Sequence, residues 1–132
     1  MAQSFFSVEN SADLHRLRPL VSQVSYYWHL FGATVDPLLK VLHQPTIDRA
    51  IQSLIASQMK DISPEMELLM FSIYFSVVMG MTPEDVFSSF GELKSVLASR
   101  YRHGFEQALA NADFLRSQEL MVVQALIIFL VC

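Results

Sequence analysis

The chain has 132 residues, 52% of them hydrophobic and only 17% charged, with a formal net charge of −4 and a single cysteine. That is the length of one domain, and it is poorer in charge than the roughly 25% of an ordinary soluble domain. Nine scattered Lys and Arg residues exclude a clustered basic surface for phosphates, and one cysteine excludes both an internal disulfide and a cysteine-rich zinc cluster formed by these residues.

Residues 1–13 read as a flexible lead-in, polar apart from Phe5 and Phe6. Pro19 then opens a helical stretch. Leu20, Val24, Tyr27, Trp28, Phe31 and Val35 recur at steps of three and four, which is one helical face. Asp36-Pro37 predicts a stop or restart, because the residue before proline disfavours the helical conformation. A short helix is expected from Pro37 to Val41. Pro45-Thr46 predicts a break and a cap for a face of Ile47, Ile51, Leu54 and Ile55, and Gln58 to Ile62 reads as a polar linker.

Ser63-Pro64-Glu65 is a strong start signal: a capping serine, proline at the first position, and an acid at the positive end of the helix. The helix it opens runs to Met79, apolar nearly all round, with Gly80 as the expected stop. Thr82-Pro83-Glu84-Asp85 repeats the start logic for a short helix to about Ser89, broken by Phe90-Gly91. The stretch from Glu92 to about Asn111 carries a stripe of Leu93, Val96, Leu97, Tyr101, Phe105, Ala108 and Ala112. Ser117 is expected to cap a last helix, Gln118 to Cys132, also apolar nearly all round.

Alternating strand patterns and hairpin turns are absent, so the sequence predicts an all-α bundle of five to seven helices. The mean hydropathy of +0.35 implies more apolar surface than a monomer of this size covers, which points to a partner interface or a membrane. The two most apolar stretches, Leu68–Met81 and Leu120–Cys132, are each about 13 residues, short of the roughly 20 needed to cross a bilayer. Buried or partner-facing helices are therefore expected, with no membrane span and no secretory signal. The residues expected to be buried or at an interface are Leu68, Phe71, Tyr74, Phe75, Ile127 and Phe129.

Signals for chemistry are thin. No nucleophile elbow, phosphate-cradling glycine loop or dinucleotide fingerprint occurs. His15, His29, His43 and His103 lack a metal-ligand spacing, so neither a metal nor a cofactor is expected. The acids Glu65, Glu67, Glu84 and Asp85 are explained by their places in first helical turns. Tyr26, Trp28, His29, His43 and Tyr101 are the side chains a small-molecule pocket would draw on, with core packing the simpler reading of the aromatic ones.

Several separated strings carry a resemblance. LLMFSIYFSVVMGMTPEDVFSSFG, LASRYRHGFEQALANADFL and SQELMVVQALIIFLVC resemble, in that order, the start of the fungal-specific transcription factor domain, the middle homology region of fungal zinc-cluster transcription factors. The second and third carry Tyr101-Arg102, Glu106, Ala108-Leu109, Ala112-Asp113-Phe114-Leu115 and Gln124-Ala125-Leu126 in that family's order. Upstream, Leu14-His15, Trp28, Phe31, Val35, Pro37, Lys40, His43 and Pro45-Thr46 resemble the stretch leading into the domain.

The resemblance implies a partial regulatory domain over residues 14–132, the N-terminal portion only, without the zinc cluster. The family's domain continues beyond the final helix here, so that helix is expected to lack its usual cover. The implied role is nuclear, with a cytoplasmic one left open. It affects transcription, of a secondary-metabolite pathway among others, through self-association as a homodimer or pairing with a related factor, and not through DNA binding by this chain. The alternative is a repurposed helical scaffold that binds a small molecule or acts as an enzyme, and a small-molecule effector is compatible with either.

Overall fold

A computed structural model describes residues 14–112 and 120–132, and the lead-in and the Ser117 cap fall outside them. A helical turn at residues 14–17 precedes seven helices among the described residues: α1 Val21–Thr34, α2 Asp36–Leu39, α3 Gln44–Ala56, α4 Pro64–Gly80, α5 Pro83–Phe90, α6 Lys94–Ala112 and α7 Leu120–Val131. The expected all-α bundle is what forms.

Helix α4 is its axis. Every residue from Met66 to Val78 is buried, so over that span the helix has no solvent face. Ser63 caps it by accepting the Met66 N–H at 3.1 Å. Its two buried serines stay satisfied without leaving the helix: Ser72 donates to the Leu69 carbonyl at 2.6 Å and Ser76 to Ile73 at 2.9 Å. Helices α1, α6 and α7 surround it. Facing pairs set the directions. Arg18 meets Glu67 and Tyr27 meets Tyr74, so α1 runs parallel to α4. Phe71 lies under Gly104 while Lys94 reaches Met79, so α6 runs antiparallel.

Several ends differ from the sequence reading, each for a local reason. Helix α3 starts at Gln44, not after Thr46, with extended His43 as its first cap. The Ile47 N–H already bonds the His43 carbonyl at 3.2 Å, and Pro45 loses nothing in a first turn whose N–H groups are free. Helix α2 ends at Leu39, short of Val41, because Lys40 turns left-handed at φ 52 and bonds back to Asp36. Gly80 is not a stop: it lies in the last turn of α4, and the end is held instead by Lys94, whose Nζ donates to the carbonyls of Met79 at 3.2 Å and Met81 at 2.7 Å. Gly91 does stop its helix, at φ 73, the left-handed region glycine enters freely.

The Gln58–Ile62 linker is not wholly polar. The Gln58 N–H bonds the Ile55 carbonyl and the Met59 N–H bonds Leu54, the paired bonds of a Schellman close. That close folds Met59 inward to burial beside Leu54. Gln58 and Met59 both hold positive φ, 60 and 63, a strained choice for non-glycine residues. The stripe on α6 is also shorter than expected. Leu93 precedes the first residue of α6 and is exposed, and Val96 is exposed although its neighbour Leu97 is buried. Leu20, at the head of the α1 stripe, is exposed as well.

Candidate interaction surface

Helix α7 has two faces that differ in cover, not in polarity. Val122, Ala125 and Ile128 are buried against the bundle. Phe129 joins them from the side, with its ring stacked on Phe105 at 4.0 Å between centroids and tilted on Phe75 at 4.7 Å. Gln124, the single polar residue of the helix, donates from Nε2 to the Val41 carbonyl at 3.0 Å and ties α7 to the chain after α2. The opposite face carries Leu120 (67% exposed), Val123 (51%), Ile127 (41%) and Leu130 (77%). These four recur at steps of three, four and three, which makes one stripe along the helix. Covering a side chain of this kind fully is worth about 1.5–3 kcal/mol, so the stripe is a costly thing to leave wet.

The stripe ends at a groove of about 340 Å³ lined by Thr34, Val35, Ser76, Met79, Val131 and Cys132, where α1, α4 and α7 finish together. Partial desolvation raises the thiol of Cys132, an exposed residue, above its ordinary pKa.

The six residues expected to be buried or at an interface fall into two groups. Leu68, Phe71, Tyr74 and Phe75 are buried inside the chain's own bundle. Ile127 lies on the open stripe and Phe129 at its edge, half buried. The sequence reading did not single out Leu120, Val123 and Leu130. The signal was present as the step pattern of the stripe, but an all-apolar helix gives no contrast by which to choose a face.

The five residues expected to line a pocket do not gather. Trp28 and His29 border a shallow depression beside Gly32 and Gln44, where Trp28 Nε1 donates to Asp48 at 2.9 Å. His43 is exposed at the head of α3. Tyr26 is on the surface, 3.2 Å from Ser89 Oγ. Tyr101 is inside, with its hydroxyl 2.8 Å from that of Tyr27. Around this pair Tyr74 packs at 5.1 Å from Tyr27 and 5.4 Å from Tyr101, and Phe90 stacks on Tyr27 at 4.5 Å. Burial is the main cause that pushes all three tyrosines up: Tyr101 to about 12, and Tyr27 and Tyr74 likewise upward. They are neutral packing groups at physiological pH.

Among the described residues no group of three or more His, Cys, Asp or Glu is placed to hold a metal ion, and no helix is long and apolar enough to cross a membrane.

No family model and no solved structure matches the chain. Curated proteins do. The chain is 40% identical over 98 residues to the aurofusarin cluster transcription factor aurR2 of Gibberella zeae, a match spanning 74% of this chain and 14% of that protein. It is 34% identical over 127 residues to the transcriptional regulator AacuB of Aspergillus aculeatus, across 96% of this chain and 17% of that one. To the C6 finger domain transcription factor hasF of Aspergillus fumigatus it is 26% identical over 121 residues, 78% of this chain and 16% of the relative. The chain thus spans about a sixth of the length of the curated relatives it matches. Over most of its own length, this chain is a homologue of a segment of fungal transcription factors, C6 finger proteins among them.

Proposed function

We propose that this chain acts in the regulation of transcription in a fungus, in the nucleus, through protein contact and not by reading DNA itself. Its relatives are named as transcription factors, one for the aurofusarin cluster and another for a pyriculol/pyriculariol biosynthesis cluster, so the genes affected would be those of a biosynthetic cluster. A net charge of −4 with scattered basic residues speaks against phosphate binding by this chain. The segment of the relatives that it matches would then be a regulatory, all-helical part, read here as the front of the middle homology region.

The observation that carries the reading is the open stripe of Leu120, Val123, Ile127 and Leu130. Its occupant in this proposal is a second copy of the chain. Steps of three and four are the seam spacing that two helices share when they pair. Helix α7 holds no charged residue, so two copies can face each other without like charges meeting across the seam. Sedimentation of the purified chain over a range of concentrations tests this. The expected result is a mass that rises toward a dimer, and a Val123→Asp/Leu130→Asp double variant that stays monomeric with unchanged helix content. Both positions are exposed, so the fold should survive the change. A wild-type chain that remains a stable, monodisperse monomer throughout would count against the proposal.

A further inference from the structure

Two dipeptides in the chain offer a hydroxyl followed by proline, Ser63-Pro64 and Thr82-Pro83, and locally they are alike. Both hydroxyl residues are exposed and extended, Ser63 at φ −72, ψ 157 and Thr82 at φ −71, ψ 156. Each accepts a backbone N–H three residues on, at 3.1 Å. The helices they open are unlike. Ser63 opens the central helix, buried without interruption from Met66. Thr82 opens α5, eight residues long, whose one buried side chain is Val86. A kinase takes its acceptor in an extended segment, so the first turn after the hydroxyl must open. Opening it after Ser63 withdraws Met66 and Glu67 from the core. Opening it after Thr82 over the same four residues withdraws Val86 alone. Local opening of a peripheral element is far easier than opening of the axis of a bundle.

A second observation bears on the same joint. Lys94 Nζ lies 2.7 Å from the carbonyl of Met81, the residue just before Thr82. It holds a cation at the carbonyl one residue before Thr82, on a helix start whose acids Glu84 and Asp85 would otherwise repel a new anion.

We propose that Thr82 is a phosphorylation site for a proline-directed protein kinase, that Ser63 is not, and that Lys94 is the counter-ion of the new phosphate. In the transfer, the bond between the terminal phosphorus of a nucleoside triphosphate and its bridging oxygen breaks and a bond from that phosphorus to Thr82 Oγ1 forms. The hydroxyl proton passes to the kinase's base, and the nucleoside diphosphate leaves.

Incubation of the purified chain with a proline-directed kinase and ATP, followed by peptide mapping by mass spectrometry, tests the site. One phosphate is expected on the wild type and on Ser63→Ala. None is expected on Thr82→Ala, while Thr82→Ser, which keeps the hydroxyl, the cap and the proline, regains it. Phosphate on Ser63, or an unmodified wild type, overturns the assignment. For Lys94, the phosphorylated and plain forms of wild type and Lys94→Met are compared by thermal melting. A larger phosphate-induced drop in Tm in the Lys94→Met protein is expected, and equal drops overturn the pairing.

Discussion

Gly104 shows how far one residue can set the distance between two helices. A Cβ built there would lie 2.3, 2.6 and 2.8 Å from three atoms of the Phe71 ring. That ring is fully buried and packs edge-on against Tyr74 at 5.7 Å, so it has no free direction in which to move. Glycine inside a helix normally costs about 0.5–1 kcal/mol relative to alanine, and a Gly→Ala change would ordinarily stabilise α6. Here overpacking opposes that gain, at about 1–3 kcal/mol. Gly104→Ala is therefore expected to lower stability by about 1–2 kcal/mol in urea unfolding. A midpoint at or above that of the wild type would show that α4 and α6 can part without loss. Nothing in the order of residues announces this glycine, because its reason lies on another helix. Gln58 is the opposite case: a left-handed C-terminal position that glycine usually fills is held by glutamine, in a close that bonds the Met59 N–H to the Leu54 carbonyl and leaves Met59 buried.

At the level of elements, the ends of α4 are held by charges from elsewhere in the chain. Arg18, just after the 14–17 turn, clasps Glu67 with two donors: Nε to Oε2 at 2.9 Å, and Nη2 to Oε1. Glu67 is almost wholly buried. A bidentate guanidinium satisfies such a carboxylate, whereas removing it leaves a charge inside the protein. Arg18→Met is expected to cost about 3 kcal/mol, the low end for breaking a buried pair, because Arg18 keeps some exposure. Arg18→Met/Glu67→Met, which removes both charges, should recover most of the loss. If chemical denaturation finds the double variant as weak as the single one, the ion pair is not what holds the turn to α4.

The helix starts behave differently from these long-range ties. Ser63 and Thr82 were legible as caps because a cap and its N–H groups lie within four residues. The stripes of α1, α3 and most of α6, and the all-round burial of α4, were legible for the same reason of short period. Arg18–Glu67, Lys94–Met81 and Gln124–Val41 were not, since they join residues 49, 13 and 83 positions apart. The open face of α7 was half legible: the helix could be found, but which of its sides met the bundle depended on Phe75 and Phe105, far away in the chain.

Taken whole, the molecule spends its apolar excess unevenly. The α4 segment consumes it inside, where Phe71, Tyr74 and Phe75 find cover from α1, α6 and α7. The α7 stripe holds what is left outside. The interior formed in this way contains three neutral tyrosines on three different helices, Tyr27 on α1, Tyr74 on α4 and Tyr101 on α6, and this gives global stability an alkaline limit. Burial raises all three above the ordinary value of 10.0. Above that pH the unfolded chain has lost tyrosine protons that the fold still holds, so the folded state binds more protons and stability must fall as pH rises. The contribution is complete below pH 10 and is lost as pH climbs beyond it, at up to about 1.4 kcal/mol per pH unit for each tyrosine. Urea unfolding between neutral pH and pH 12 should therefore be level at first and steepen beyond 10. Tyr74→Phe isolates one of the three. The Tyr74 hydroxyl is buried with no hydrogen-bond partner among the described residues, so its removal should leave stability at neutral pH unchanged or slightly higher. The alkaline slope should become shallower by one group. An unchanged slope would mean that Tyr74 titrates in the fold as it does in the open chain, and that the centre of the bundle admits a charge its packing says it should refuse.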